Sequence, residues 1–491
     1  MRSKRILTLF AAIPFTAGLF VMQSCGGEGG PTGGGGGGLP GVTAQFMALL
    51  PTGQSGANYV GSETCSSAAC HGENGDPESI PAHWQETVHS DRGVGCERCH
   101  GPGSIHAANP SDDNILTFPK SNSPVVCAQC HGPISEQFNL SGHNLLIASP
   151  VESAVQNPAG AKSSRCIACH SGLARIEINK QADDGVDIFP AWTDEQIRTL
   201  AEDTLTKVPH IANCATCHDP HKRTANLNDT GEEVQLRRQV FNMDTAPVAP
   251  DTTAASFTLY NHACAQCHNG RGASATDAKL NSSTSRPNMH DSNQFNMLLG
   301  FGGFEDEEPI ERYTAHATAP GQCSKCHMPE SNHSFKANYD KGCNPCHTAT
   351  DAASRVAQTR NNIIDALLAL RQRMSNWSTA TYDAPGEEIF WEYTSNITAE
   401  GFTAPSQAGV PIQIKRARHN YYFVIRSGDY GVHNGPYARH MITEANEEID
   451  DLPGGPFAPG GRAPTSNLTL AQKLQILEAD RKKASEADTR E

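Results

Sequence analysis

Apolar positions gather at the two ends of the chain and thin out in between. Residues 6–22, ILTLFAAIPFTAGLFVM, form an apolar run behind the basic start MRSKR. Pro14 interrupts the run, which is too short and too broken for a comfortable membrane span and has the layout of an export signal. From about 57 to 350 no helical or strand period is sustained, which predicts loops and short helices. The pattern changes after 350. Ile363, Leu367, Leu370, Met374 and Trp377 fall on one helical face. A second helical pattern begins at GPYARHMITEANEEID, with Pro436 in the first turn, where its missing N–H costs nothing. LPGGPFAPGGRAP then breaks the chain. A last helix opens at TLAQ, where Thr469 and Gln472 have the spacing of a capping box and Leu470, Leu474 and Leu477 share a side. No strand-like alternation stands out, so the expected fold is mainly α.

These shifts divide the 491 residues. Residues 1–25 read as a signal peptide ending at Cys25, a cysteine placed like the lipid-modified residue of a bacterial lipoprotein; ordinary signal-peptide cleavage nearby is the alternative. Residues 26–56, opening GGEGGPTGGGGGGLPG, read as a glycine-rich tether. Residues 57–350 are a cofactor-binding domain, 351–450 a C-terminal helical region completing it, and 451–491 a Pro/Gly loop with a terminal helix. Aromatic residues make up only 6% of the chain, few for a core built of side chains alone. The formal net charge is −15, and removing residues 1–25 takes away basic residues only. Such a balance excludes nucleic acid as a partner and favours basic protein surfaces.

The cysteines explain the thin middle. Apart from Cys25 they form eight pairs, each followed at once by histidine. Seven read C-x-x-C-H: Cys96/Cys99/His100, Cys127/Cys130/His131, Cys166/Cys169/His170, Cys214/Cys217/His218, Cys264/Cys267/His268, Cys323/Cys326/His327 and Cys343/Cys346/His347. The first, Cys65/Cys70/His71, has four residues between its cysteines. C-x-x-C-H is the attachment signature of c-type haem. Two thiols must reach the two vinyl groups on one porphyrin edge, and the next side chain must bring an imidazole nitrogen to iron. A zinc knuckle or a redox disulfide competes, but neither needs histidine after every second cysteine. In the first motif the second cysteine and histidine stay adjacent, so the extra residues should bulge out between the anchors. Eight porphyrins would supply the apolar surface that the composition lacks.

The sixth iron position decides function. Of 21 histidines, eight belong to the motifs. The candidates for the distal places are His89, His106, His143, His210, His221, His290, His316, His333 and His433, nine names for eight places. His83, His262, His419 and His440 read as non-ligands. The motif histidines succeed one another at 29, 31, 39, 48, 50, 59 and 20 residues, so there is no solenoid period. The shortest gap should bring the last two haems together, and crowding should give a continuous electron path.

YVGSETC with CHGENG, and GVGCERCHGPGSIH, resemble the exported multihaem cytochromes c related to the tetrahaem cytochromes of the hydroxylamine pathway. ARHNYYFVIRSGDYGVHNGPYA resembles a C-terminal segment of the superfamily holding pentahaem nitrite reductase, hydroxylamine oxidoreductase and octahaem tetrathionate reductase. There the segment reads D-x-S-x-G-x-H-N-P-x-Y, and the resemblance makes His433 a distal ligand. Here Ser427 and Asp429 are exchanged relative to that pattern, and the proline is displaced by one. The resemblance implies either an electron carrier or an oxidoreductase of nitrite, hydroxylamine or tetrathionate. All eight motifs keep histidine, which favours a lipid-anchored, non-catalytic carrier in the periplasm or at the outer membrane. Its partners would be other redox proteins, cytochromes among them. A subunit of an extracellular cytochrome filament is a further alternative.

Overall fold

The structure, a computed structural model, describes residues 43–72, 80–117, 123–144, 169–183, 212–241, 262–270, 275–282, 289–307, 309, 311–382, 391, 398–399, 402–403, 409–455, 457 and 467–488. The signal peptide, Cys25, Cys166 and His210 lie outside them.

Up to residue 348 the described chain holds only short helices, the longest being Gly172–Asp183. Several are the haem-type motifs themselves, such as Glu97–His100, Cys214–Cys217 and Cys323–His327. Helices of one or two turns have little stability of their own, so their position depends on what they pack against. Residues 43–56 correct the tether reading. Thr43 caps the helix Ala44–Met47 by accepting from the Phe46 N–H at 3.1 Å. Phe46 is buried against Leu116 and Val126, with Cys99 beside them. The unbroken glycine run ends at Gly38, and Phe46 with Leu49 and Leu50 anchors the segment to the body.

Four long helices close the chain: α1 (Ala349–Tyr382), α2 (Ile412–Ser427), α3 (Gly435–Asp450) and α4 (Leu470–Asp488). The face Ile363, Leu367, Leu370, Met374 and Trp377 of α1 is buried in the main core with α2 and α3. α3 starts behind Asn434, whose side chain accepts from the Tyr437 N–H at 3.1 Å, with proline in the first turn. At α4, Thr469 and Gln472 make both bonds of the capping box, at 2.9 and 3.3 Å; Leu477 is buried while Leu470 stays exposed. α2 is buried on nearly every face. Its polar groups are therefore tied down: Asn420 bonds both ways with the Phe304 backbone, at 2.6 and 2.9 Å, His419 contacts the Gly302 carbonyl at 2.7 Å, and the Tyr421 hydroxyl donates to Asp480 at 2.7 Å. The described strands are one antiparallel pair, Thr398–Ala399 with Phe402–Thr403. The fold is mainly α.

Candidate functional site

Six of the motifs are each closed by one backbone bond. The histidine N–H donates to the carbonyl of the first cysteine at 2.8–3.0 Å in the motifs of His100, His131, His218, His268 and His347. In the longer first motif His71 N–H reaches the Cys65 carbonyl at 3.1 Å. The two added residues change the loop but not its closure, and Ser67, Ala68 and Ala69 face solvent.

The imidazoles then fall into eight couples. His71 faces His106 with ring centroids 6.1 Å apart, His100 faces His221 at 6.0 Å, and His131 faces His89 at 6.2 Å. His170 faces His290 at 6.4 Å, His218 faces His333 at 6.2 Å, and His268 faces His143 at 6.1 Å. His327 faces His433 at 6.2 Å and His347 faces His316 at 6.4 Å. Every couple joins one motif histidine to one from elsewhere in the chain. Rings this far apart are not in contact with each other. Two nitrogen–metal bonds of about 2 Å each would set ring centroids roughly 6 Å apart, so the spacing fits an iron between each couple. The couples also cross in sequence: His89 precedes His131, whereas His333 lies far beyond His218. His83, His262, His419 and His440 belong to none of them. His262 instead accepts the N–H groups of Cys264 and Ala265 on its Nδ1, at 3.0 and 3.2 Å, and so caps a motif.

Second partners fix the ring orientation. Nδ1 meets a backbone carbonyl in His100 (Leu116, 2.7 Å), His106 (Ser111, 3.0 Å), His218 (Val234, 2.8 Å), His290 (Asp291, 2.6 Å), His327 (Phe335, 3.0 Å) and His333 (Ser331, 2.7 Å). His268 meets the Gln294 side chain at 3.2 Å, and His89 and His316 bond the Pro220 and His433 backbones. An Nδ1–H held this way leaves Nε2 as the lone-pair nitrogen in the gap. Burial lowers the pKa of His89, His100, His218, His316 and His333, and takes His143 and His221 to about 4. These rings are neutral at neutral pH, which is the ligating form. His433 differs. Burial pushes its pKa down, but the Asp429 carboxylate outweighs it and raises it.

Sulfurs of different motifs approach one another. The thiols of Cys65 and Cys96, Cys127 and Cys214, Cys169 and Cys267, and Cys264 and Cys323 are within hydrogen-bond reach. Cys99 is close to Cys127, Cys217 to Cys264, and Cys326 to Cys343. Numbered in chain order, the motifs therefore neighbour as 1–2–3–5–6–7–8, with motif 4 against motif 6. The close approach of the last two needs Gly342, because a Cβ there would stand 2.9 Å from the Cys326 Cα and carbonyl oxygen. A continuous cavity of about 2530 Å³ runs past every couple except His71–His106. Ordinary ligand cavities hold about 300–1,000 Å³, so this one suits several large groups in a row.

Two cysteines assigned from the sequence to porphyrin edges, Cys70 and Cys346, are exposed and do not line this cavity. Cys70 belongs to the first motif, which the cavity does not reach. Cys346 parts from its own motif, because Cys343 and His347 do line the cavity. The reason is position. The last motif stands at the end of the row, and among the described residues no further motif covers its outer side. Cys346 remains near enough to Cys326 to help raise the pKa of that thiol.

Several residues were not legible as site residues. Glu97, inside the second motif, is buried and accepts from the N–H groups of Val60, Gly61 and Gly103 at 2.7–2.9 Å, tying the first two motifs together. Phe335 has a left-handed backbone (φ 55°), which is costly for a bulky residue. Its ring packs edge-on against His143 at 4.5 Å and against His333 at 6.0 Å, while its carbonyl holds His327. Only the sequence neighbourhood S-N-H-S-F hinted at it.

No family model matches the chain. It is 26% identical over 332 residues to the C-type polyheme cytochrome OmcC of Geobacter sulfurreducens, covering 58% of this chain and 39% of that protein. It is 23% identical over 354 residues to the C-type polyheme cytochrome OmcB of the same species, covering 64% and 42%. The likeness is to multihaem c-type cytochromes. The polyheme c-type relatives support covalently bound haem at the cysteine motifs, although Cys130 is disulfide-bonded in this structure. This cytochrome spans about two fifths of the length of those relatives. Among solved structures, the outer cell wall cytochrome OcwA aligns with a TM-score of 0.43 and 19% identity, over 72% of this chain and 70% of that one. The nitrite reductase NrfA of Desulfovibrio desulfuricans aligns at 0.31 and 17%, over 66% of each chain. No helix among the described residues is long and apolar enough to cross a membrane.

Proposed function

We propose that this cytochrome carries eight covalent haems, each with two histidine ligands, and works as an exported electron carrier. One observation carries the proposal: eight motif histidines each face a second imidazole across a gap of one metal ion. In this reading the paired cysteines hold the porphyrin edges, with Cys346 holding the solvent-facing edge of the last. His71, His100, His131, His170, His218, His268, His327 and His347 are the proximal ligands. His106, His221, His89, His290, His333, His143, His433 and His316 are, in the same order, the distal ones. His210 is left over, because eight other residues fill the distal places. Bound haem supplies a one-electron ferric–ferrous couple. The protein's own part is to keep buried imidazoles such as His143 and His221 neutral, aim Nε2 inward through acceptors on Nδ1, and exclude water from the sixth position. Bis-histidine ligation lacks the thioether ligand that raises potential, so the couples belong at the low end of the haem range.

The order of neighbouring motifs gives a path from the first to the eighth site with the fourth as a side arm. Residues 57–350 carry it, and 351–450 complete it by supplying His433. Residues 1–25 direct export, and a lipid on Cys25 holds the protein at the periplasmic or outer-membrane surface, reaching basic faces of other redox proteins, cytochromes among them. An oxidoreductase of nitrite, hydroxylamine or tetrathionate would need one exchangeable iron position, and each described motif histidine already has its opposing ring. The test is haem stoichiometry. Pyridine haemochrome per chain, with the intact mass of the denatured protein, should give eight haems for the wild type and a weakened first attachment for Cys70→Ala. Seven in the wild type would remove the first site from the path.

A further inference from the structure

The loop between α2 and α3 presents His433 in a way shared by no other described couple. Its Nδ1 lies 2.9 Å from a carboxylate oxygen of Asp429, outside straight hydrogen-bond geometry. The same carboxylate accepts the His433 backbone N–H at 2.7 Å and the Gly431 N–H at 3.3 Å, and pairs with the Ser427 hydroxyl. Asp429 is buried, with a side chain 7% exposed. The other Nδ1 partners given above are neutral oxygens, but His347 also meets a carboxylate. Asp351 faces His347 at 3.1 Å, but it is 42% exposed and shared with Arg355 at 2.8 Å, so water and an opposite charge offset it. Each partner of Asp429 named here, apart from His433, is a neutral donor. Ser427 and Asp429 thus form a hydroxyl–carboxylate pair whose charge lies against the imidazole.

We propose that Asp429 is a positioning residue that lowers the reduction potential of the haem held by His327 and His433 relative to its neighbours. The inference rests on His433 being that haem's distal ligand. A buried anion against Nδ1 makes the ligating nitrogen more basic and, in a low-dielectric setting, favours the more positive ferric state. Reduction at this site takes one electron from an adjoining haem or a reduced redox partner, with no proton taken up and no bond made or broken. The site lies between motif 6 and motif 8, through Cys264–Cys323 and Cys326–Cys343. Asp429 therefore sets a step, close to one end of the path, where an electron is held less tightly than on either side.

The test is a spectroelectrochemical titration of the full haem-loaded protein, wild type against Asp429→Asn. The amide keeps an oxygen for the loop N–H groups and removes the charge. One haem in eight should move to higher potential by a tenfold or greater change in its oxidised-to-reduced ratio, about 59 mV for a one-electron couple, with haem content and low-spin spectrum unchanged. If every potential stays where it was while the spectrum remains low-spin, the inference is overturned and the ligation reading stands. Should the asparagine variant fail to mature, Ser427→Ala decides. Losing the hydroxyl donor leaves more charge for the imidazole, so one potential should fall, and an unmoved set of potentials overturns the proposal. Failure of the ligation reading shows separately, as a high-spin haem in the wild type, and takes the inference with it.

Discussion

His333, proposed above as a distal ligand, shows what such a place needs beyond an imidazole. Its Nδ1 is held by the Ser331 carbonyl, its N–H donates to Gln137 at 3.0 Å, and the Phe335 ring stands beside it. His333→Ala should therefore convert one haem in eight to high spin without loss of haem, because the cysteines and His218 still hold it. Electron paramagnetic resonance reads this as one lost low-spin signal; an unchanged spectrum would show that His333 does not ligate. At this scale the cysteine motifs were open to the sequence, since their chemistry is local and their spacing is set by the porphyrin edge. The exposure of Cys346 was not, because it depends on where the last motif stands in the row. The histidines named as distal candidates were visible as residues, but their pairing was not. His333 meets a motif more than a hundred residues earlier, and no local pattern encodes that. The orienting groups were hidden for a similar reason, because most are backbone carbonyls, which any residue supplies.

The helices divide between legible and hidden by how they are buried. α1 showed itself because one face is apolar and the opposite face polar, so Ile363, Leu367, Leu370, Met374 and Trp377 keep a period. α2 is covered almost all round. Its sequence mixes Arg418, His419 and Asn420 with Tyr421, Tyr422 and Phe423, and the mixture blurs any stripe. The packing of α4 depends on Asp480, which accepts from Arg371 at 2.7 Å and from Tyr421 at 2.7 Å while only 2% exposed. Removing one partner of a buried pair leaves the other uncompensated and costs about 3–5 kcal/mol. Asp480→Ala should lower the free energy of unfolding by that order, read from denaturant titration, and leave haem content alone, since neither α1 nor α4 supplies a distal histidine. A stability loss under about 1 kcal/mol would mean the pair is no more than a surface contact. The residues at 43–56 were misread as tether because a short apolar stretch, Phe46 to Leu50, is too brief to keep a period, although Phe46, Leu49 and Leu50 anchor the segment.

Across the whole molecule, the polypeptide behaves as a casing. Short helices and capped turns hold cysteines and histidines around a cavity too large for side chains to fill, and the loop between α2 and α3 contributes His433. On the proposed reading, the acidic balance of −15 adds to porphyrin propionates and would favour basic partner surfaces. The reading turns on whether all eight irons have both axial places taken by imidazole. Quantitative electron paramagnetic resonance with near-infrared magnetic circular dichroism, on the oxidised protein as isolated, measures this directly. Eight low-spin ferric haems per chain, all with bis-imidazole signatures, are predicted. A high-spin component amounting to one haem or more, or a methionine signature on any of them, would contradict it.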